Sequence, residues 1–533
     1  MPDAHIPLQA AAPPEAYRAI DRFCAERRPT PADLAPFLRE RFGVELTLDP
    51  DIIAGFVSDS SNLPGRADAL ARPASARNAA LIMRGCFQAG VPFTLSAGKS
   101  NLTGSATPEG GVLISTARML APAVTVDPAT KTATAPAGLI LEDMRRQVMA
   151  QSSQQLIYPV DPTSRTDATV GGTIACNASG FTPGAAGATR PWVAALDVLL
   201  PNGLLVRAAR GQYISAEGRF WLEHERQAIA LPAPRYTRPA IKNAGGPFSA
   251  PDGVMDFVDL IVGSEGLFGL VVGCRLRLIA RPRDYVDLFF SLPTEADAVR
   301  FHQFLRRRLG GSFDSLTALE YFGVNSRRYM THEAALFLGD HQVGINIQAP
   351  LTDQSLEDAA QAWLEILKQA DCGVDESAVL LLDNESARAL FLEARHSMPA
   401  HAVEVVKRRG TRTIMTDTVV PPEHFGEFLE YAHRLLNEAR MDYLSFGHLG
   451  DCHLHFTLLP EKEQLERGRE LYDLLVDRSA ALGGVYSGEH GTGKSKRRDF
   501  LRCYGPEAAG DVRRCKAALD PKFLLNRGNV IEP

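Results

Sequence analysis

Hydrophobic and polar positions follow a helical spacing in some parts of the chain and a strand-like spacing in others. Residues 14–44 predict helices, with a helix start at Thr30 before the run LAPFLRERFG. The segment SARNAALIMRGCFQAG predicts a further helix that ends at Gly90, and the short apolar strand VPFTL follows it. Later, VAALDVLLPNGLLVRAA predicts a hairpin with Asn202 and Gly203 at its tip. The pattern therefore indicates a mixed fold.

The region 284–440 has a different character. YVDLFFSL and HQVGINIQAP predict strands, whereas EADAVRFHQFLRRRL, SLEDAAQAWLEILKQA and PPEHFGEFLEYAHRLLNEAR predict amphipathic helices. Sheet and helices in alternation indicate an α+β domain. Residues 204–250 are polar, with several prolines and glycines, and indicate an insertion or long excursion.

Length and composition narrow the class of protein. A chain of 533 residues exceeds one ordinary core and predicts two or three domains. A net charge of −6 gives no broad attraction to nucleic acid or anionic lipid. We expect no secretory signal, because the first residues lack a basic start and a long apolar run. We expect no transmembrane segment, because no stretch of the sequence approaches the ~18 uncharged apolar residues that span a bilayer. Eight scattered cysteines without a C-x-x-C pair favour reduced thiols in a cytoplasmic protein.

Two turn-rich segments carry many of the glycines. SAGKSNLTG directly follows VPFTL, and a second such segment covers residues 158–187. Glycines between strands let backbone N–H groups converge on an anion without obstruction by side chains. SAGKSNLTG is therefore a candidate phosphate or pyrophosphate loop, and an ordinary surface loop is the alternative.

Three segments taken together resemble a known family. PFTLSAGKSNLTGSATPEGGVLIST, YPVDPTSRTDATVGGTIACNASG and DLIVGSEGLFGLVVGCRLRL are similar to the flavin-binding signatures of the vanillyl-alcohol-oxidase-type (PCMH-type) flavoproteins. Within that superfamily they resemble the D-lactate dehydrogenase/glycolate oxidase branch. The resemblance implies an α+β fold, in which a two-part FAD-binding domain of the vanillyl-alcohol-oxidase type carries an α+β substrate (cap) domain. Its predicted parts are a helical extension (1–49), the FAD-binding domain (50–282), the cap domain (283–480) and a C-terminal segment that completes the FAD domain (481–533).

The resemblance also implies which residues hold FAD. The first segment would wrap the pyrophosphate, the second would line the flavin, the third would pass beside the isoalloxazine, and one late asparagine would lie near the ring. In chain order these residues are Ser96, Gly98, Lys99, Ser100, Asn101, Leu102, Asp161, Gly171, Gly172, Thr173, Asn177, Gly180, Glu265, Gly269, Val271 and Asn526. Lys99 and Ser100 stand where some relatives have a histidine tethered to FAD, so we expect non-covalent FAD.

Three histidines lie close together in FGHLGDCHLHF. Strand alternation puts His453 and His455 on one face, and a neighbouring glycine turn lets His448 join them. Three imidazoles with a carboxylate suit zinc or manganese, and a polar cluster on a solvated strand is the alternative. The resemblance implies His448, His455 and Glu489 as ligands of a divalent metal. It leaves open whether His453 adds a ligand or contacts the substrate.

The segment SGEHGTGKS matches the pattern of a nucleotide-binding P-loop, G-x-x-x-x-G-K-[ST]. Only 38 residues follow Ser495, which is too few for the parallel α/β domain that such a loop requires. The family interpretation uses the segment differently: Glu489 faces the metal and His490 faces the substrate hydroxyl. Lys494 and Ser495 would then begin a helix with ordinary surface roles.

The resemblance implies an FAD-dependent dehydrogenase that oxidises a D-2-hydroxyacid to the 2-oxoacid by hydride transfer to flavin N5, with metal assistance. His490 would be the base, and Arg395 would pair with the substrate carboxylate unless it is only a salt-bridged helix residue. Relatives often carry a lysine where this chain has Met415 and Thr416, which favours a monocarboxylate such as D-lactate.

Two alternatives stay open: a metal-free enzyme of the same superfamily that acts on another alcohol, and a flavin-free metal-dependent hydrolase. Quinone, cytochrome, electron-transfer flavoprotein and oxygen all remain open as electron acceptors, because access of the acceptor depends on surface shape. We expect a cytoplasmic protein, or one that is peripheral at the inner face of the membrane.

Overall fold

The computed structural model describes residues 3–225, 227–249 and 252–532. Its helices are α1 (Pro14–Arg27), α2 (Pro31–Phe42), α3 (Pro50–Ala54), α4 (Ala76–Ala89), α5 (Leu141–Gln151), α6 (Val170–Cys176), α7 (Phe257–Ile261), α8 (Glu295–Arg308), α9 (Glu333–Leu336), α10 (Leu356–Gln369), α11 (Glu385–Arg408), α12 (Phe425–Glu438), α13 (Leu465–Ala481) and α14 (Arg497–Leu519). Within these ranges, none of the helices combines the length and the hydropathy that crossing a bilayer requires.

The strands of the first half are β1 (His5–Pro7), β2 (Gln9–Ala10), β3 (Leu46–Thr47), β4 (Ala69–Ala71), β5 (Phe93–Ser96), β6 (Val112–Ser115), β7 (Thr125–Asp127), β8 (Thr132–Pro136), β9 (Leu156–Ile157), β10 (Val193–Leu199), β11 (Leu204–Ala209), β12 (Arg219–His224), β13 (Gln227–Pro232), β14 (Leu270–Arg277) and β15 (Ile279–Ala280). Those of the second half are β16 (Asp284–Leu292), β17 (Ala318–Phe322), β18 (Val343–Leu351), β19 (Leu380–Leu381), β20 (Ile414–Met415), β21 (Thr418–Val419), β22 (Tyr443–His448) and β23 (His453–Leu458).

The helix boundaries follow local sequence signals. Thr30 and Asp33 form a capping box at the start of α2, with Pro31 in the first turn. The Ser75 hydroxyl accepts the backbone N–H of Asn78 in the first turn of α4, and Gly90 ends that helix in the left-handed conformation. These starts and stops, and the hairpin of β10 and β11, confirm the elements predicted from the hydrophobic pattern.

Two sheets frame the first half of the chain. One has the order β3-β4-β6-β5, in which β4 and β5 both run parallel to β6. The other has the order β2-β11-β10-β14-β8-β7. Because β5 ends at Ser96, it delivers the chain directly into the glycine-rich segment SAGKSNLTG.

The polar stretch 204–250 is more ordered than an excursion. It begins with β11, and β12 and β13 form an antiparallel hairpin that pairs with β1 near the N-terminus. The expectation of an insertion therefore holds only for the part after β13, whose described residues, 233–249 and 252–256, contain no named strand or helix. That part carries a lysine important for the site described below.

The second half is built on one large sheet of order β19-β16-β18-β17-β22-β23-β20, with β21 also paired to β23. The helices α8, α10 and α12 bury apolar faces in the core of this region. Its central strands β22 and β23 pair antiparallel and bring His448 opposite His453. The predicted alternation of sheet and helices is confirmed here.

The buried apolar side chains form one large cluster from the first half and the C-terminal segment, two from the middle, and a small one of Ile53, Leu70 and Leu113. The first draws on residues 6–278 and 476–531, and the two from the middle lie within 286–475. We propose the domain limits 1–49, 50–282, 283–480 and 481–533 on this basis. Side chains of α1 and α2 belong to the first cluster, so the N-terminal extension packs on the flavin-side core.

A buried histidine in the middle region predicts acid sensitivity. His302 on α8 is 1% exposed and packs against the rings of Phe313 and Phe425. Burial lowers its pKa to about 4 from the ordinary 6.5. The unfolded chain therefore takes up this proton below pH 6.5, whereas the folded chain does not until about pH 4. Stability from this group is complete above pH 6.5 and falls by about 3 kcal/mol as the pH drops to 4.

We expect His302→Phe to lose less stability than the parent as the pH falls, because phenylalanine has no group that binds a proton at that position. Between pH 7 and pH 4.5 its unfolding temperature should fall about 6 °C less than that of the parent, as measured by scanning calorimetry. His424→Asn, at a partly exposed position, is the control. Its unfolding temperature should fall with pH as much as that of the parent. If the unfolding temperature falls equally with pH in the parent and in His302→Phe, His302 is not the source of this acid sensitivity.

Candidate active site

One cavity of about 670 Å³ joins the glycine-rich segments to the histidine cluster. Its walls come from the first flavin segment around Ser96 to Leu102, the second around Gly171 to Gly180, and the third around Glu265 to Val271. The same cavity is lined by His448, His455, Glu489, His490 and Arg395. Side chains predicted to bind a cofactor and side chains predicted to do chemistry thus face one space.

The first two flavin segments approach each other so closely that side chains would not fit between them. A Cβ at Gly98 would lie 2.1 Å from the carbonyl oxygen of Asp167, and one at Gly172 would lie 3.1 Å from the Cβ of Ala97. Glycine allows such close backbone approach. The result is a cavity wall made largely of backbone, which suits a long, flat, phosphate-bearing cofactor such as FAD.

Asn526 joins the C-terminal segment to this wall. Its Oδ1 accepts the N–H of Leu95 at 2.8 Å, and its Nδ2 donates to the carbonyl of Glu265 at 2.9 Å. Asn529 donates to the same carbonyl and to that of Ser105. Asn526 therefore holds two flavin segments together, and its place near the flavin ring stays a prediction.

Two of the predicted FAD residues do not line the cavity. Asp161 lies behind Gly180, where a Cβ would be 2.3 Å from the Asp161 Oδ1. Asn177 is buried; its Oδ1 accepts the N–H of Arg190 and its Nδ2 donates to the carbonyl of Asn243. Both shape the wall from behind. The other predicted cofactor residues line the cavity, and their contacts to FAD stay predictions.

Glu265 ties the third flavin segment to the SGEHG turn. Its carboxylate oxygens accept the N–H groups of Thr492 at 2.7 Å and Gly493 at 2.8 Å. Burial raises the pKa of Glu265 to about 7, although these two donors act against the rise. The turn that carries Glu489 and His490 is thereby fixed against the flavin side of the cavity.

Lys494 does not have the ordinary surface role that the sequence predicts. Its side chain is 9% exposed, and its Nζ donates to the carbonyl of Arg527 at 2.6 Å and to Oδ1 of Asn529 at 3.0 Å. Ser495 beside it is exposed, as expected. The lysine of the P-loop-like pattern thus ties the turn to the last residues of the chain.

The histidine cluster depends on the tight turn between β22 and β23. Gly447 has φ +155°, and a Cβ there would lie 2.4 Å from the carbonyl oxygen of His453. Cys452 adopts the left-handed region with φ +51°. This backbone brings ligand atoms of His448, His453, His455 and Glu489 within 4.8 Å of one another.

Glu489 lies between the two histidines predicted to bind metal. Its Oε2 is 3.6 Å from Nε2 of His448, and its Oε1 is 3.4 Å from Nε2 of His455. The other ring nitrogen of His448, Nδ1, is 2.6 Å from Oε1 of Glu320. Although burial acts to lower it, Glu320 raises the pKa of His448 to about 9. A carboxylate behind a histidine orients the free nitrogen toward a metal.

His453 is fixed by a buried carboxylate. Its Nε2 lies 2.8 Å from Oδ1 of Asp417, and its Nδ1 has no hydrogen-bond partner. Burial lowers the pKa of His453 to about 3, which keeps the ring neutral. A neutral imidazole with one unpaired nitrogen fits a metal-donor set, so His453 stays a candidate ligand. The other predicted role, contact with the substrate, gains no support here, because His453 is fully buried and is not among the cavity-lining residues.

Asp417 also positions the proposed base. Its Oδ2 accepts the backbone N–H of His490 at 3.0 Å and lies 3.5 Å from the Nδ1 of the same residue. Further bonds from Ser487 Oγ and Lys496 Nζ complete its surroundings. Burial lowers the pKa of His490 to about 4, with Asp417 acting in the opposite direction. At neutral pH the His490 ring is therefore a free base.

Arg395 is both salt-bridged and at the cavity. Its Nη2 lies 2.6 Å from Oε2 of Glu320, and its guanidinium stacks 4.4 Å from the ring centroid of Phe181. It also lines the cavity. Because one carboxylate binds both Arg395 and His448, the two sides of the candidate site are held by a single anchor.

Three polar residues of the site were missed in the sequence: Glu320, Asp417 and Lys242. Glu320 had a usable signal, because a glutamate within the apolar strand ALEYF is costly to bury unless it is paired. Asp417 and Lys242 gave none, since their partners, His453 and Ser487 for the first and Glu489 for the second, are brought to them only by the fold.

The residues present fit a divalent metal. Imidazole nitrogens from His448 and His455 and the Glu489 carboxylate form the mixed nitrogen and oxygen set that zinc and manganese accept. A second group of ligand atoms, on Asp417, His455 and His490, is also compact. Since Asp417 is already saturated by Ser487 and Lys496, the first group is the better donor set.

Family models match both halves of the chain. The FAD binding domain matches residues 67–209, and the C-terminal domain of FAD linked oxidases matches residues 338–530. The first match contains the first and second flavin segments. The second contains Arg395, the histidine cluster and the SGEHG turn.

Curated relatives align along most of the chain. A D-lactate dehydrogenase of Anaerostipes hadrus is 25% identical over 90% of this chain and 93% of its own length. The glycolate oxidase subunit GlcD of Bacillus subtilis is 23% identical over 87% and 88%. A D-2-hydroxyglutarate dehydrogenase of Xanthomonas citri pv. viticola is 26% identical over 87% and 89%.

The fold agrees with solved structures of flavoproteins. A crystal structure of p-cresol methylhydroxylase with substrate bound superposes with a TM-score of 0.67, covering 98% of this chain and 99% of that one at 12% identity. The predicted two-part fold is thereby confirmed. With both domain models matched in order and the fold in agreement, this chain carries an FAD binding domain followed by the C-terminal domain of FAD linked oxidases, in a PCMH-type fold.

Proposed function

We propose that this protein is an FAD-dependent D-2-hydroxyacid dehydrogenase that uses a divalent metal and acts on a D-lactate-like substrate. The observation that carries the proposal is the single cavity in which the flavin segments meet the cluster of His448, His455, Glu489 and His490. The names of the relatives, D-lactate dehydrogenase among them, support this substrate class.

The protein side chains divide the work of the oxidation. The guanidinium of Arg395 binds the substrate carboxylate, and Glu320 keeps that guanidinium in place. His490 has Nδ1 directed to Asp417, so Nε2 is the atom that takes the hydroxyl proton. Holding the acid at one end and the hydroxyl at the other fixes the C2 hydrogen toward the flavin wall.

Two bound groups complete the chemistry. The backbone wall of the flavin segments would hold FAD, and His448, His455 and Glu489 would hold zinc or manganese. Bound FAD supplies the hydride acceptor, and a bound divalent ion supplies a Lewis acid that lowers the pKa of the substrate hydroxyl.

The cavity favours a substrate with one carboxylate. Among its described lining residues, Arg395 and Lys99 are the only lysine or arginine, and the Nζ of Lys99 donates to the carbonyl of Gly55. Met415 and Phe446 line the same space and are apolar. A second carboxylate, as in D-2-hydroxyglutarate, would lack a cation to pair with.

Anaerobic reduction of the flavin tests this function. Purified protein should show flavin absorbance that D-lactate bleaches, with L-lactate and D-2-hydroxyglutarate at least tenfold less effective. Flavin and metal content are measured on the same sample. Protein that stays colourless after addition of FAD would contradict the flavin proposal and favour the alternative of a flavin-free metal-dependent hydrolase.

A yellow protein that reacts with another alcohol and retains no metal would favour the metal-free alternative. The acceptor is tested in the same preparation: quinone, cytochrome c, electron-transfer flavoprotein and oxygen are offered in turn to the reduced enzyme. The acceptor of the proposed reaction is the one that reoxidises the flavin at the rate of turnover.

A further inference from the structure

A lysine outside the cavity lining reaches the carboxylate at the centre of the histidine cluster. The side chain of Lys242 is 2% exposed, and its Nζ lies 3.4 Å from Oε2 of Glu489 and 3.4 Å from Oδ2 of Asp451. Neither contact has hydrogen-bond geometry, since both Nζ and Oδ2 of Asp451 are buried without a hydrogen-bond partner. The lysine is therefore held between two carboxylates by charge.

The backbone around Lys242 is fixed from two directions. The carbonyl of Asn243 accepts from Nδ2 of Asn177, and Nδ2 of Asn243 donates to the Tyr504 hydroxyl. The N–H of Ala244 donates to the carbonyl of Ser487 at 3.0 Å. Because the segment is attached both to the flavin wall and to the SGEHG turn, the ammonium group stays beside Glu489.

The charge of Lys242 has opposite effects on the two states of the site. Without a metal, Glu489 and Asp451 are buried carboxylates, and a cation between them offsets the free energy of burying their charges. With a divalent ion on Glu489, the same ammonium lies close to a second positive charge. Like charges repel strongly where water is excluded.

We propose that Lys242 is the internal counter-cation of Glu489: it stabilises the metal-free site and competes with the divalent ion for that carboxylate. The inference rests on the metal site of the proposed function. It identifies Lys242 as a positioning residue whose effect is exerted through Glu489, and it gives the excursion after β13 a role in the site.

Two substitutions have opposite expected effects on metal binding. Lys242→Met removes the competing charge and leaves Glu489 with its histidine neighbours only, so the dissociation constant for Zn²⁺ should fall about tenfold or more. Asp451→Asn keeps an oxygen to accept from the N–H of Gly184 but leaves Lys242 to Glu489 alone. Zn²⁺ binding should then weaken several-fold.

The test uses FAD-loaded protein stripped of metal with a chelator. Zn²⁺ is titrated in competition with a chromophoric chelator, and the unfolding temperature is recorded with and without Zn²⁺. For Lys242→Met the metal-free form should unfold earlier than the parent, and the gap between metal-free and Zn²⁺-loaded forms should widen. Retained flavin absorbance shows that each variant is folded.

Lys516→Met is the matched control. Lys516 is as buried as Lys242 and pairs with Asp520 at 2.9 Å, away from the histidine cluster. This variant should lower both unfolding temperatures together and leave Zn²⁺ affinity unchanged.

Unchanged or weaker Zn²⁺ binding by Lys242→Met, or tighter binding by Asp451→Asn, would overturn the proposal. So would absence of Zn²⁺ binding by parent and variants alike. Reduction of the flavin by D-lactate, measured separately, decides whether the dehydrogenase proposal survives that result.

Discussion

Replacing His490 by asparagine should lower kcat for D-lactate by about a thousandfold, because the substrate hydroxyl loses its proton acceptor. The backbone N–H of residue 490 would still bind Asp417, so the turn keeps its shape. FAD and metal content should therefore match those of the parent, and KM should change little. Stopped-flow measurement of anaerobic flavin reduction isolates the affected step.

His401→Asn is the control for that variant. The Nδ1 of His401 contacts the carbonyl of Tyr329 at 2.7 Å, and the residue is absent from the described cavity lining. Its turnover should stay within twofold of the parent. Flavin reduction in His490→Asn at more than a tenth of the parental rate would assign the proton acceptor elsewhere.

Glu489→Gln should release the divalent metal and lower turnover by about a hundredfold or more. A neutral amide cannot match the carboxylate that two histidines and Lys242 surround, and it leaves the lysine with Asp451 alone. Metal analysis after gel filtration should show less than a tenth of the parental content. The flavin spectrum should persist, since Glu489 is not among the residues that close the flavin wall.

Glu295→Gln provides a control with the same chemistry at another site. Glu295 is also a half-buried carboxylate paired with a histidine, His433, at 2.9 Å, but it does not belong to the cavity. Metal content and turnover should be unchanged there. A Glu489→Gln protein that keeps its metal and its rate would remove the metal from the proposed reaction.

Much of the fold was predictable because its signals are local. Caps such as Thr30 with Asp33 and turns such as Asn202-Gly203 act over a few residues, and their elements appear where the pattern predicts them. The flavin segments were predictable for a related reason: glycines such as Gly98 are required by close approach of backbone, which leaves a mark in the sequence.

The rest of the site depends on contacts that no local pattern encodes. Asp417 binds Ser487 across 70 positions, and Lys242 meets Glu489 across a still longer separation. For Lys494 the local pattern gave a wrong prediction. A basic residue near a helix start predicts exposure, yet the Nζ of this lysine is directed inward and donates to the carbonyl of Arg527. Which charged side chains become buried is determined only when the whole chain has folded.

The turn that carries Glu489 and His490 donates hydrogen bonds to two carboxylates from different parts of the chain. Asp417, from the cap region, holds its beginning, and Glu265, from the flavin side, holds its end. A chimera that exchanges the middle region among relatives to alter specificity must therefore take Asp417 and the turn that it binds from the same parent. Crossovers placed between them would remove the hydrogen bonds that hold the proposed base beside the proposed flavin site, even where Glu489 and His490 are preserved.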